Sequence, residues 1–301
     1  KSPPWAARPA PDLSAATRAD ADPDTMTISP ATEAALAPAS QDEVDRLIEQ
    51  FDPESNFRRL VGVSAGIVTV IAVCLSSWHY YTAGFGLHNE IAHRAIHLSV
   101  VLGLCFLVFP RQKRLPGPWE WVVCAGLAVF YLLMGWNLLQ SVGSEVPLSA
   151  QLAFGAVMLA IAGLSLPFTA YDGSHQHIPW RDWVFAALAS SFSLYLLVFF
   201  DDIFIQRPGQ HTPIDLMFGV IAIAMVLEAA RRTMGVFLPL LAVACVLYGI
   251  FGPYLPGGLA HRGYSVPRVV AHLYKGTEGV YGIPVGVVAT VLGLALALAW
   301  P

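Results

Sequence analysis

The stretch that decides the fold is "VFLPLLAVACVLYGI", Val236 to Ile250, followed at once by "FGPYLPGGLAHRGYS", Phe251 to Ser265. The first half is a continuous apolar run. The second breaks it with two prolines, glycines and a His-Arg pair, and a further apolar run lies beyond. A helix needs roughly 20 apolar residues to cross about 30 Å of hydrocarbon. Apolar runs punctuated by such breakers are the pattern of a chain that crosses a bilayer repeatedly.

The pattern repeats along the chain. Candidate spans fall at about 60–79, 93–109, 119–141, 150–170, 182–200, 214–230 and 234–251, with an eighth apolar run at about 283–300. In lipid the backbone must satisfy its own hydrogen bonds, so these are helices. None alternates as a β-barrel strand would. Composition agrees: 55% hydrophobic, 13% charged, mean hydropathy +0.58, against about 25% charged in a typical soluble domain. The fold class is an all-α polytopic membrane bundle of seven to eight helices.

Outside the spans, residues 1–39 are polar and rich in Ala, Pro and Asp, the composition of a disordered tail. In "SQDEVDRLIEQF", Ser40 and Glu43 have capping-box spacing, and Val44, Leu47, Ile48 and Phe51 share one face. A short amphipathic helix is expected over 40–56. Most of the acidic excess behind the net charge of −4 sits in the tail, so nothing points to nucleic acid. Cys74, Cys105, Cys124 and Cys245 all lie in apolar runs without pairing spacing.

Orientation is read from Lys and Arg in short loops. Arg58 and Arg59 precede the first span, Arg111, Lys113 and Arg114 follow the second, and Arg231 and Arg232 follow the sixth. These agree on a cytoplasmic N-terminus. Arg262, Arg268 and Lys275 disagree, because counting spans puts their loop outside. Either that segment folds against protein or one span does not cross.

Three groups of residues carry possible chemistry. His88, His93, Arg94 and His97 surround the start of the second span. His93 and His97 share a helix face at a spacing that suits a metal or haem. Yet no partner His pair lies inside a second span and no HExxH occurs. They therefore read as boundary residues, with Arg94 facing a lipid headgroup or an acidic partner, and no metal or cofactor is expected. In "LEAARR", Glu228 is placed to pair with Arg231 or Arg232. The plain reading is an interface anchor and topology signal; the alternative is an ion pair that holds two helices in register. Asp201 and Asp202 read as a solvated rim.

The third group runs from Gly252 to Thr290. In it "SVPRVVAHLYKG" (Ser265–Gly276) puts Val266, Val269, Val270 and Leu273 near one face, as in a helix lying in the membrane interface. Ser265 and Pro267 suit its start. "EGVYGIPVG" then places Glu278, Gly279, Gly282, Pro284 and Gly286 at the entrance of the last run. Such residues open a helix for binding in transporters, or let helices pack closely; both readings fit. No GxSxG elbow, Walker loop or dinucleotide fingerprint stands in a suitable context, and no enzyme is expected.

The motifs in "LEAARRTMGVFLPLLAVACVLYGIFGPYLPGGLAHRGYS" and "LYKGTEGVYGIPVGVVAT", with "FDPESNFRRL" and "RAIHLSVVLGLCFLVFP" upstream, resemble the fused small-plus-large-subunit permease of tripartite ATP-independent periplasmic (TRAP) transporters, in the branch served by TAXI-type binding proteins. The similarity covers roughly 48–110 and 178–295. It implies a secondary transporter of the bacterial inner membrane that imports a small carboxylate-like anion, delivered by a periplasmic binding protein and driven by a sodium or proton gradient. It also implies a small-subunit-like scaffold over 57–232, with an inserted helix pair at about 115–177, and the start of a large-subunit-like domain over 233–301. In the family that domain continues for several hundred residues, so the chain reads as an N-terminal fragment with most substrate and ion sites beyond Pro301. Local candidates are the motif residues already given, together with Gly252, Pro253, Pro256, Gly257, His261, Arg262, Gly263 and Thr290. Phe251–Ser265 would be a hinge, with His261 and Arg262 anchoring it at a boundary. The competing reading is a scaffold or truncated remnant that transports nothing.

Overall fold

The computed structural model describes residues 57–58, 60–86, 89–111, 117–167 and 177–292, all within one compact unit. The tail over 1–39, the amphipathic helix over 40–56, Arg59, His88, Lys113, Arg114 and the end of the last apolar run lie outside the described residues.

Among the described residues every regular element is helical. Seven helices are long and apolar enough to cross a membrane: α1 (Gly62–Phe85), α2 (Glu90–Val108), α3 (Pro118–Val142, continued by a 3-10 turn to Glu145), α4 (Leu148–Ser165), α5 (Trp180–Val198), α6 (Pro213–Met234) and α7 (Phe237–Phe251, continued by a 3-10 turn to Tyr254). A shorter α8 (Val266–Lys275) follows, then a five-residue α9 (Ile283–Val287) that widens into a π-helical turn over Val288–Leu292. All seven expected spans are present. α1 and α6 run longer than their hydropathy suggested, so Tyr80–Thr82 and Arg231–Arg232 are helical residues rather than flanking ones.

α6 is the central helix, with Ala222, Ala224, Met225 and Glu228 all nearly inaccessible. Its start is fixed by a capping box in which Thr212 accepts from the Asp215 amide and Asp215 accepts from the Thr212 amide. Small residues set the close contacts around it. A Cβ on Gly219 would lie 2.6 Å from Val270 Cγ1, so this glycine seats α8 directly on α6. α2 and α5 pack closely in the same way, through Gly103 against Ser190 and a hydrogen bond from Ser190 Oγ to the Ser99 carbonyl (3.1 Å). The inserted pair α3 and α4 is part of the same core: Leu127, Tyr131, Met134, Phe154, Met158 and Ile161 are buried in it. α1 and α7 present mostly exposed apolar side chains, which suits lipid contact.

α8 departs from its expected placement. It packs on α6 through Val266, Val270, Ala271 and Tyr274 instead of lying in the interface on Val266, Val269, Val270 and Leu273. The face is rotated because Gly219 opens a slot for Val270, and the Tyr274 hydroxyl reaches the Phe192 carbonyl at 2.6 Å. Lys275 reaches Asp215 at 3.4 Å and donates to the Gln210 carbonyl. This segment therefore folds against protein, the first of the two ways its Lys275 could escape the loop-charge rule.

Candidate functional site

Polar groups are buried at both ends of the bundle. At one end, Arg58 donates to Asp182 Oδ2, and Arg232 Nη1 donates to Asp182 Oδ1 at 2.9 Å. Glu228 accepts from Arg231 through both oxygens (2.7 and 2.8 Å) and from Arg232 Nε at 3.0 Å. The Arg232 guanidinium lies over the stacked Phe106 and Phe185 rings, 4.8 Å from each centroid. Arg58 also caps α2 by donating to the Leu107 carbonyl at 2.9 Å. Nearby, Arg111 donates to the Ser165 carbonyl, and burial pulls its guanidinium down to about 10, so it stays charged at neutral pH.

This corrects the reading of Arg231 and Arg232 as interface anchors. Both are buried, and with Glu228 they form the register-holding alternative. The partner that completes it, Asp182, was not singled out from the sequence. Its signal was an acid in the first turn of an apolar helix, a costly position unless paired.

At the other end of α6, Asp215 gathers Arg207 Nη1 (2.6 Å), the Tyr195 hydroxyl (2.7 Å) and Lys275. Asp202 pairs with Arg207 at 2.7 Å, so only Asp201 of the acidic pair is a plain rim residue. Burial pulls the Lys275 ammonium below its usual value, against the opposing pull of Asp215.

The same end of the bundle holds the third cluster, where α1 and α2 meet the segment from Gly279 to Thr290. His79 and His97 are hydrogen bonded, Nε2 to Nδ1, at 3.0 Å. Trp78 Nε1 donates to His93 Nδ1 at 3.2 Å, and His93 Nε2 lies 3.0 Å from the Ala289 carbonyl. Arg94 donates to the Tyr281 carbonyl at 3.0 Å and to Glu90. A Cβ on Gly286 would fall 2.7–2.8 Å from three guanidinium atoms, so this glycine lets Arg94 pass beneath α9. Tyr281 is buried with its hydroxyl 3.0 Å from Ser193 Oγ. A cavity of about 490 Å³ opens beside the cluster, lined by Trp78, Thr82, Phe85, Asn89 and His93 among others.

Arg94 therefore faces an acidic partner and a carbonyl, and not a lipid headgroup, because Glu90 one turn earlier and the Gly286 gap draw it inward. His93 and His97 are buried, and the partner histidine that was not found by reading spans is His79, on the neighbouring helix. Among the described residues no group of three or more His, Cys, Asp or Glu is placed to hold a metal ion.

The other candidates serve the backbone. Gly252 touches the His261 ring, whose Nε2 lies 3.0 Å from the Tyr248 carbonyl, while the Tyr264 amide donates to the Gly249 carbonyl at 3.0 Å. His261 is thus folded back as a cap on the end of α7, where orphan carbonyls need donors. Arg262 is exposed over the Tyr264 ring. Pro253 packs on Gly263, and Pro256 and Gly257 form an exposed turn. Gly279 meets the Leu273 carbonyl, Gly282 closes a turn onto Gly279, Pro284 starts α9, Thr290 donates to the Gly286 carbonyl, and Glu278 is exposed. Close approach therefore accounts for Gly279 and Gly286, and the helix they introduce is also broken.

No family model matches this chain, and neither a curated protein nor a solved structure matches it. Among the described residues the protein is helical, with seven helices long and apolar enough to span a membrane.

Proposed function

We propose that this chain is the membrane part of a TRAP-type secondary transporter of a bacterial inner membrane, N-terminus cytoplasmic. It moves a small carboxylate-like anion inward, delivered by a periplasmic TAXI-type binding protein and driven by an ion gradient, and it is not an enzyme.

The observation that carries this reading is Arg94. A cation buried in a spanning helix is costly and is retained for function by default. Here it reaches the backbone just ahead of a short, interrupted helix, beside a cavity of about 490 Å³. Interrupted helices facing fixed charges are how transporters hold small ions, and the volume suits a small organic molecule. The resemblance of these same residues to the TRAP permease motifs supplies the substrate class.

The test is uptake. The protein, reconstituted in proteoliposomes, is offered radiolabelled small mono- and dicarboxylates loaded on the periplasmic TAXI-type binding protein, under a sodium or a proton gradient. Gradient-dependent uptake supports the reading. A well-folded protein that moves none of them is a scaffold, and the transport reading falls.

A further inference from the structure

His79 and His97 are 4% and 6% exposed, and they face each other across the α1–α2 contact. The hydrogens of this pair can be counted. When both rings are neutral, one ring donates its N–H and the other accepts. The donor ring's outer nitrogen is then bare. A proton added there breaks no hydrogen bond and turns the inter-ring contact into a charge-assisted one, which is the stronger kind. A second proton would set N–H against N–H and break the contact. The pair therefore has room for one proton. His79 Nδ1 fits the role of the bare nitrogen, since it is fully buried and has no hydrogen-bond partner.

His93 is excluded from this role by the same count. It accepts from Trp78 on Nδ1 and donates from Nε2 to the Ala289 carbonyl, so both nitrogens are engaged. It lies edge-on to His79, with ring centroids 5.5 Å apart, and ties the cluster to the π-helical turn. The other charged groups around the pair are committed elsewhere. Arg94 on α2 is matched by Glu90. Ile283–Leu292 contains no ionisable side chain. On α6, Asp215 is committed to Arg207, Tyr195 and Lys275, and Glu228, Arg231 and Arg232 sit at the far end, as do Arg181 and Asp182 of α5. Tyr81 stacks on Trp78 and Tyr281 bonds Ser193. Thr82, whose hydroxyl donates to the His79 carbonyl, lines the adjoining cavity.

We propose that the His79–His97 pair binds a single shared proton and is a coupling-ion site of the transporter. This rests on the transport reading above. It names the proton as the ion, and the His93–Ala289 contact as the link from that charge to the interrupted helix.

The full chain, carrying ring-¹⁵N histidine in nanodiscs, is titrated from about pH 8 to about pH 4, the range in which imidazoles change charge. Spectra of His79→Gln and His97→Gln assign the two rings. Both rings are expected to shift in one common step that takes up one proton, and that step vanishes in either variant. In proteoliposomes, His79→Gln is expected to lose the acceleration of uptake by an inward proton gradient. Rings that stay neutral throughout, or that titrate independently, overturn the site even if uptake occurs. A common step in a protein that moves no carboxylate upholds the proton site and overturns the transport reading. Uptake equally accelerated by a proton gradient in wild type and His79→Gln overturns the coupling role.

Discussion

Arg232, near the end of α6, donates from Nη1 to Oδ1 of Asp182 at the start of α5, at 2.9 Å, and both side chains are inaccessible to solvent. Asp182 is also the carboxylate of Arg58, so one acid neutralises cations from two other parts of the chain. Removing one partner of a buried pair costs about 3–5 kcal/mol, because the surviving charge stays buried. Asp182→Asn leaves Arg58 without a carboxylate and Arg232 with Glu228 alone, and is expected to cost stability of that order, read as a lower melting temperature in detergent. Asp201→Asn, at an exposed site, should change stability by no more than about 0.5 kcal/mol. Equal melting temperatures for the two variants would remove the network from any structural role.

Gly219 and Val270 occupy the same space from opposite helices. A Cβ at Gly219 would approach Val270 Cγ1 to 2.6 Å and Tyr274 Cβ to 3.1 Å. Gly219→Ala is expected to push α8 from α6 at a cost of about 1–3 kcal/mol, the usual range for overpacking. Val270→Ala removes the offending methyl groups, so the double variant should recover part of that loss. A double-mutant cycle by chemical denaturation reads the coupling. Strict additivity would mean that α8 does not rest on this glycine.

The spans were legible because hydropathy depends on residue type alone. Partners were not, because they depend on which helices meet. Arg231 and Arg232 look like loop charges until Asp182, 50 residues from Arg232, is set beside them. His93 and His97 share a face that periodicity reveals, but their neighbour His79 stands on another helix, at the last residue of the apolar run before it. The apolar face of α8 was read nearly right and then rotated toward Tyr274, because the slot it fills is cut by a glycine on α6. Gly252 and His261 were both visible as unusual residues. Their contact was not, since it depends on the loop turning back onto α7.

The turn after α7 ranks its own glycines. Gly257 and Gly263 both have positive φ, +59° and +70°. An L-residue in that conformation costs about 1–2 kcal/mol. Space is open around Gly257, whereas a Cβ on Gly263 would come within 2.6 Å of Pro253 Cδ and 2.9 Å of the Ile250 carbonyl. Gly263→Ala should therefore lower the melting temperature more than Gly257→Ala. In a transporter, Pro256→Ala with Gly257→Ala should slow uptake while leaving the fold largely intact. The reverse ranking in a thermal melt would show that Gly263 does not hold the turn against α7, and unimpaired uptake by the double variant would show that the loop is not a hinge.

His211 gives the fold an acid sensitivity of its own, outside the spans. The residue is exposed, yet the partial burial of its ring, and then the charge of Lys275, hold its imidazole below the ordinary value of 6.5, while Asp215 pulls the other way. A base with a lowered folded value binds fewer protons folded than unfolded as pH passes below about 6.5. Stability then rises with pH across that window and is lost as pH falls through it. The melting temperature should therefore drop between about pH 7.5 and pH 5.5, and His211→Gln should make that drop shallower. The His79–His97 pair titrates in the same samples, so the difference between wild type and variant isolates the His211 contribution. A steeper drop in the variant would reverse the sign and show that His211 gains stability from its proton, through Asp215.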